Sequence, residues 1–187
     1  MATKKKASNN NAKVWAALRI LIGLIFLWAF LDKMFGLGYS TCRIADKTTG
    51  EETVQVGCAK AVVNDEGATA HPTEGFLKFA AKGPFQDFYS GLAGKSSVDF
   101  LFMTGLLLIG LALVSGVGVT VACVSGIAML LMMWSAVLPP ENNPVLDDHI
   151  VYAVVLVGVM LANKEQVWGL GKKWQAQDVV KRFRFLA

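Results

Sequence analysis

The sequence predicts an all-α membrane protein whose core is a bundle of four transmembrane helices. Hydrophobic residues make up 54% of the 187 residues and charged residues only 17%, which is too apolar for an ordinary soluble domain. Apolar runs recur along the chain, and basic residues gather at its two ends. The length allows one bundle of about four spans with one sizeable loop between two of them.

Four segments are predicted to cross the membrane, because each holds an apolar run near the roughly twenty residues that a spanning helix needs. Arg19 lies in the first span, where its long side chain is expected to extend to the lipid headgroups. A Ser-Gly-Val-Gly sequence at 115–118 predicts a tight turn between the second and third spans. The predicted spans are 14–35, 98–115, 117–138 and 146–163.

The charge distribution predicts that both termini are cytoplasmic and that the loop 36–97 lies outside the plasma membrane of a prokaryote. The chain through Arg19 carries five Lys or Arg and no acidic residue, and the segment from Lys164 carries six against two. The region from Gly36 to Asp99 holds six basic and eight acidic residues. Short segments rich in Lys and Arg remain in the cytoplasm.

The segments on either side of the predicted membrane domain, which comprises residues 14–163, differ in their distribution of apolar and basic residues. Residues 1–13 are polar and lysine-rich, and they are expected to form a disordered cytoplasmic tail. Residues 164–187 interleave Trp168, Trp174 and a later apolar run with basic residues, so we expect an amphipathic tail that binds anionic lipid. Nucleic acid is not an expected partner, because the basic residues lie at the chain ends.

The first half of the outer loop contains two cysteines, Cys42 and Cys58. Thr48-Thr49-Gly50 predicts a turn, and the alternating residues 53–56 predict a strand. A hairpin tied by a disulfide fits an oxidising compartment. Two unrelated thiols are the alternative, and a redox-active pair is disfavoured by the absence of a C-x-x-C spacing. Cys123, inside the third span, is expected to be a small core residue.

The second half of the outer loop, from Thr73 to Leu92, changes to a helical pattern. Aromatic residues repeat at helical spacing on both sides of Gly83-Pro84, which is expected to start a new helix. We expect two short aromatic helices that lie on the outer surface or cap the bundle. His71, which precedes Pro72, is expected to be solvated.

The fourth apolar run indicates the most informative cluster of ionisable residues. The uncharged run comprises only residues 150–162, which is shorter than the roughly twenty residues of a spanning helix. A full span must therefore include Asp147, Asp148 and His149 in its outer turns. Ionisable groups at that depth cost a few kcal/mol each on insertion scales and mark a functional site unless they are paired. Histidine changes charge nearest neutral pH, and Tyr152 follows one helical turn later.

Residues of two other spans are expected to complete a polar, aromatic pocket with this cluster. Asp32 and Lys33 lie at matching depth on the first span, with Trp28 one turn before, and Trp134 lies near the outer end of the third. Pairing of Lys33 with a carboxylate would offset the cost of burying both charges. Structural alternatives remain open, namely an aspartate helix cap, ion pairs that only join helices, and an aromatic belt.

Several cofactors are not predicted. The two histidines lie in a loop and at a helix end, which does not suit haem, and three scattered cysteines do not suit an iron–sulfur cluster. No nucleotide-binding glycine motif or nucleophile elbow appears. A metal held by Glu141 with the Asp-Asp-His cluster is not predicted, because neighbours on one helical turn point in different directions.

Three stretches, from Leu18 to about Gly158, together resemble the DoxX/DoxD family of small four-helix membrane proteins. They read L-R-I-x-x-G-L-I-F-L-W-A-F-x-D-K-x-F-G, P-T-E-G-F-L-K-F-x-x-K-G-P-F and A-V-L-P-P-E-N-N-P-x-x-D-D-H. The chain is most similar to the DoxD-like subunit of thiosulfate:quinone oxidoreductase. The resemblance implies a membrane-bound redox role, in some members thiosulfate oxidation coupled to quinone, and it does not extend to the region of Cys42 and Cys58.

Three classes of function are compatible with these residues. The first is a redox subunit, an oxidoreductase if it is an enzyme, that oxidises a small sulfur anion outside and reduces quinone. Its catalytic candidates are His149, Asp148, Asp147, Lys33 and Asp32. The residues expected around the quinone are Trp134, Tyr152 and Trp28. The second is a non-catalytic scaffold that docks a redox protein partner or a second copy. A transporter is disfavoured, because the second and third spans contain almost no polar residues.

Overall fold

The protein is described by a computed structural model that covers residues 2–45, 50–163 and 167–186. These residues are mostly helical, with one antiparallel pair of strands and shorter turns of helix in the loop and at the end of the chain. The longer elements, in chain order, are α1 (Ala2–Phe35), β1 (Arg43–Ala45), β2 (Glu52–Val54), α2 (Gln86–Ser90), α3 (Ser96–Ser115), α4 (Val119–Ala136), α5 (Asp148–Leu161), α6 (Gly171–Gln175) and α7 (Asp178–Arg182).

Three helices are long and apolar enough to cross a membrane. They are Asn10–Phe35 within α1, together with all of α3 and α4, and their ends agree closely with three of the predicted spans. These helices indicate a membrane protein. Helix α5 is apolar but has only 14 residues, so the fourth crossing stays a prediction.

Helix α1 begins earlier than the sequence pattern indicated. The backbone is helical from Ala2, whereas residues 1–13 were expected to form a disordered tail. The segment contains alanines and lysines, which are strong helix formers, and no Gly or Pro that would end a helix. A continuous helix can therefore extend from the first span towards the N-terminus.

The chain divides into two compact units, each with its own internal contacts. One unit comprises Met1–Phe26, Leu107–Ser135 and Pro139–Ala187, and it contains most of the spanning helices. The other comprises Leu27–Leu106 and Ala136–Leu138, and it contains the long loop with the ends of the two helices that flank it. We call them the helical unit and the loop unit.

The helical unit is held together by close approach of helices at small residues. Trp15 packs against the backbone of Gly158, where an added Cβ would collide with the indole ring. Gly126 similarly admits the side chain of Leu156, which is fully buried. Cys123 is also fully buried, which confirms its assignment to the core. Lipid tails are as apolar as the side chains, so the hydrophobic effect does not drive helices together within a membrane. Close packing of this kind is a main source of helix association there.

Arg19 has partners within the protein that the sequence did not predict. Its side chain is 2% exposed, and its guanidinium donates hydrogen bonds to the carbonyl oxygens of Leu113 and Val114 at the end of α3. It also donates to Val167 and, at 2.6 Å, to Trp168. The last carbonyl groups of a helix lack partners within the helix and carry partial negative charge, so a cation is stabilised there.

The loop unit contains the predicted hairpin. Strands β1 and β2 pair antiparallel, with Ile44 opposite Thr53, and Cys42 and Cys58 form a disulfide with their Cα atoms 5.7 Å apart. Gly36 has a φ of +64°, and it has no side chain to occupy the space beside the sulfur of Cys42. The disulfide is confirmed. Of the predicted turn, Thr48 and Thr49 lie outside the described residues.

The second half of the loop forms short helical turns, as the aromatic spacing predicted. A π-helical turn covers Phe76–Ala80, and a 3₁₀ turn at Gly83–Phe85 leads into α2. Leu77 is buried, whereas Phe79 and Phe88 are 81% and 64% exposed. The backbone N–H of Lys82 donates to the carbonyl oxygen of Ala136, so the segment is fixed to the end of α4.

Candidate functional site at the start of helix α5

The Asp-Asp-His cluster lies where α5 begins, and the preceding residues determine that start. The Asn143 side chain accepts hydrogen bonds from the backbone N–H groups of Val145 and Leu146, at 2.9 and 2.8 Å, and so forms a turn. Asp147 then has extended backbone, and its Oδ1 accepts from Ile150 N at 3.3 Å. It is therefore the N-cap residue of the helix, as the structural alternative predicted.

The second oxygen of Asp147 contacts the histidine. His149 Nδ1 lies 2.7 Å from Asp147 Oδ2 and 3.7 Å from Asp148 Oδ1. The side chain of His149 is 19% exposed and that of Asp147 12%, whereas that of Asp148 is 68% exposed. A single carboxylate thus caps the helix and orients the imidazole at the same time.

The three side chains converge, which contradicts one argument from the sequence. Potential ligand atoms of Asp147, Asp148 and His149 all lie within 4.8 Å of one another. The expectation that these neighbours would point apart assumed that all three were helical, but the first has extended backbone and turns its carboxylate back over the helix start. Convergence of this kind also occurs in capping structures without a metal, because the cap itself requires the carboxylate to turn towards the helix.

Two aromatic residues named with the cluster lie in the same unit. Trp134 Nε1 donates to the carbonyl oxygen of Val145 at 2.7 Å, which joins α4 to the segment that leads into α5. Tyr152 lies one helical turn after His149, and its side chain is half-buried. The Trp134 side chain is thus hydrogen-bonded to the segment that precedes the cluster.

Trp28, Asp32 and Lys33 lie in the loop unit, and each has a local partner there. Asp32 is 1% exposed, and its carboxylate accepts hydrogen bonds from the backbone N–H groups of residues 39, 40 and 41, each at 3.0 Å. Lys33 Nζ donates to Ser40 Oγ at 3.1 Å. The Trp28 ring packs edge-on against Tyr39. A pocket that they share with His149 stays a prediction.

The structure places His71 in a contact that sequence reasoning missed. His71 Nδ1 lies 2.7 Å from Asp99 Oδ2, so its expected solvation is wrong. The other oxygen of Asp99 accepts from the backbone N–H of Thr73 at 3.0 Å and from its hydroxyl at 2.6 Å. Residues separated by 26 to 28 positions give no local pattern. The available signal was an aspartate in the first turn of an apolar helix.

Fold and site together define a helical membrane protein with a disulfide-closed loop and two carboxylate-oriented histidines. The chain matches no family model, no curated protein and no solved structure. The chemistry of the cluster has therefore to be argued from its own residues.

Proposed function

We propose that this protein is a membrane redox subunit of the DoxX/DoxD type, in which His149 transfers protons to a quinone. The observation that supports the proposal is the contact of 2.7 Å between His149 Nδ1 and Asp147 Oδ2. A carboxylate that accepts from Nδ1 fixes the ring orientation and directs Nε2 away from the helix cap. An imidazole held in this way has one nitrogen available for a substrate.

Helices α4 and α5 of the unit that contains His149 expose apolar side chains. Val151 and Val154 on α5 are 57% and 65% exposed, and Met132 on α4 is 54% exposed. In a membrane these side chains face lipid, while Asp148 remains accessible to water. A site with an apolar approach and a polar end is what a quinone requires.

The proposed reaction balances with sulfur anions as the reductant. Two thiosulfate anions form one sulfur–sulfur bond and release two electrons, and the quinone takes up those electrons with two protons to give a quinol. Protonated His149 donates each proton from Nε2 and is reprotonated from water beside Asp148. Positioned proton donors of this kind contribute roughly 10²–10⁴-fold in rate.

The decisive experiment compares two histidine variants of the full-length protein in nanodiscs. We expect His149→Gln to slow thiosulfate-dependent quinone reduction by on the order of a hundredfold. His71→Gln is the matched control, because it removes the other carboxylate-bound imidazole and leaves the residues of the cluster unchanged. Equal rates in both variants and in the unmodified protein would contradict the assignment of His149.

An accessory role is the second candidate, and the exposed aromatic residues of the loop unit favour it. Phe79, Phe85 and Phe88 are all at least 47% exposed, and such rings dominate binding energy in many protein interfaces. Under this alternative the purified protein has no thiosulfate-dependent activity alone. It retains a redox protein at fixed stoichiometry, and substitution of Phe79 and Phe88 by serine releases that protein.

The proposal includes four crossings with both termini in the cytoplasm of a prokaryote. The disulfide between Cys42 and Cys58 supports an oxidising side for the loop. A reporter fused after Ala187 should then resist protease added to intact cells. Degradation of that reporter in sealed cells would overturn the orientation.

A further inference from the structure

The last described segment, residues 167–186, is attached to the end of the helical unit where α3 gives way to α4. Leu170 N donates to the carbonyl oxygen of Ser115 at 2.8 Å, and Gln175 Nε2 donates to that of Asn163. Gly169 approaches the Ser115 carbonyl so closely that a Cβ would collide with it. If α3 and α4 cross the membrane, their junction lies at its surface, and the attached segment lies there too.

The segment folds on itself but leaves most of its apolar side chains uncovered. Trp174 Nε1 donates to the carbonyl oxygen of Leu186 at 2.6 Å, and Val180 is buried. The large apolar residues that stay 45–62% exposed are Trp168, Leu170, Val179, Phe183 and Phe185. Helices α6 and α7 have five residues each, which is too few for independent stability in water.

The same surface carries a strong excess of positive charge. Between 167 and 186 the exposed basic residues are Lys172, Lys173, Lys181, Arg182 and Arg184, and Asp178 is the acidic residue. Lys181 pairs with Asp178 at 3.0 Å, which leaves the other four without a carboxylate of this segment. Arg182 stacks over the ring of Phe183, so cationic and aromatic groups are interleaved. We call the five apolar and five basic residues together the C-terminal surface.

We propose that the C-terminal surface binds the headgroups of anionic phospholipids, with its aromatic rings inserted at the interface. The charge selects an anionic ligand, and the uncovered rings require an apolar layer beside it; a membrane surface supplies both. Each basic residue near an anionic leaflet contributes roughly 1 kcal/mol, or about fivefold in binding. Binding would stabilise the short helices and hold the segment against the α3–α4 junction. This inference is independent of the proposed redox function.

The test uses full-length protein in nanodiscs of phosphatidylcholine alone or with about one third phosphatidylglycerol. Backbone hydrogen exchange is followed in peptides that cover 167–186. We expect exchange to be at least tenfold slower with the anionic lipid and to accelerate again at high salt. Equal exchange in the two kinds of disc would overturn the proposal, as would protection that free phosphate restores in phosphatidylcholine discs.

Two substitution sets and one control set make the test specific. Replacing Lys172 and Lys173 by glutamine should abolish most of the lipid dependence, because two basic contacts amount to roughly 25-fold. The control replaces Lys4 and Lys5, which are equally basic but have no aromatic neighbours within the first dozen residues. A control pair that reduces protection of 167–186 as much as the Lys172–Lys173 pair would show a general charge effect and contradict a defined surface.

Phe183→Ala with Phe185→Ala should weaken protection even where all five basic residues remain, and unchanged protection would contradict insertion of the rings.

Discussion

The two histidines of this chain make the same contact in different contexts. Each has its Nδ1 2.7 Å from an aspartate oxygen. Asp99 lies 28 residues from His71 and also binds Thr73, so it joins the loop to α3. Asp147 lies two residues from His149 and caps the helix that carries it. The first contact is part of the tertiary fold, whereas the second orients a side chain on a helix that other contacts already position.

The comparison predicts that long-range connections determine the stability of the loop unit. The largest effect is expected at the disulfide. Replacing Cys42 and Cys58 by serine should destabilise this unit by about 3 kcal/mol, because the bond closes a loop of some 16 residues. Limited proteolysis of the loop in detergent would detect the change. Unaltered protease resistance would show that the loop needs no covalent closure.

A second substitution removes the acceptor at the centre of the His71 contact. Asp99→Ala should cost about 2–3 kcal/mol, since it leaves the buried N–H and hydroxyl of Thr73 without an acceptor. The expected readout is a lower thermal midpoint together with faster cleavage between residues 60 and 95. Asp99→Asn is the control and should restore part of the loss, because an amide oxygen still accepts from Thr73.

At the pair of Asp147 and His149, loss of the carboxylate should lower the free energy of unfolding by less than Asp99→Ala does. Asp147→Ala removes an N-cap, for which about 1 kcal/mol is typical, and the helix is otherwise held by its apolar face. Asp147→Asn keeps a capping oxygen and should be nearly neutral in stability. If the alanine variant lost as much thermal stability as Asp99→Ala, the two contacts would not differ in the way described.

The smallest effect on stability is expected at His149 itself. His149→Gln should change the free energy of unfolding by less than about 0.5 kcal/mol, because Asp147 still caps α5. His71→Gln should cost more, since it removes a contact that joins the loop to α3 across 28 positions of the chain. Both variants can be melted side by side in one detergent. The reverse order would assign His149 to the fold and weaken its proposed role in proton transfer.

How much the sequence could predict follows the same division between local and distant contacts. Apolar runs locate α1, α3 and α4 well, because length and composition alone decide what can cross a membrane. The cysteines and the alternating strand predicted the hairpin. The partners of Arg19 and His71 could not be predicted, since a buried cation on carbonyl groups and an aspartate 28 residues away leave no periodic signal.

Asp147 shows a different limit. Its capping role was foreseen as an alternative to a functional one, and the structure shows that the carboxylate caps the helix with one oxygen, which accepts from Ile150, and contacts His149 with the other. From the sequence, the capping and the functional interpretations looked exclusive, because each was assigned to the whole residue. The structure separates the contacts of the two carboxylate oxygens. The distinction between the two interpretations now depends on measurement of activity and stability in the same variants.

The burial of Arg19 has a consequence for the synthesis of the chain. Two of its acceptors belong to α3, and the other two, Val167 and Trp168, are synthesised 148 and 149 residues after Arg19 itself. Until they arrive, the guanidinium of Arg19 lacks part of its hydrogen bonding, and an unsatisfied buried donor is costly. The hydrogen bonding of Arg19 is therefore completed only after residues 167 and 168 have been added to the chain. A chain truncated after residue 163 should be degraded in cells faster than one that retains these two acceptors.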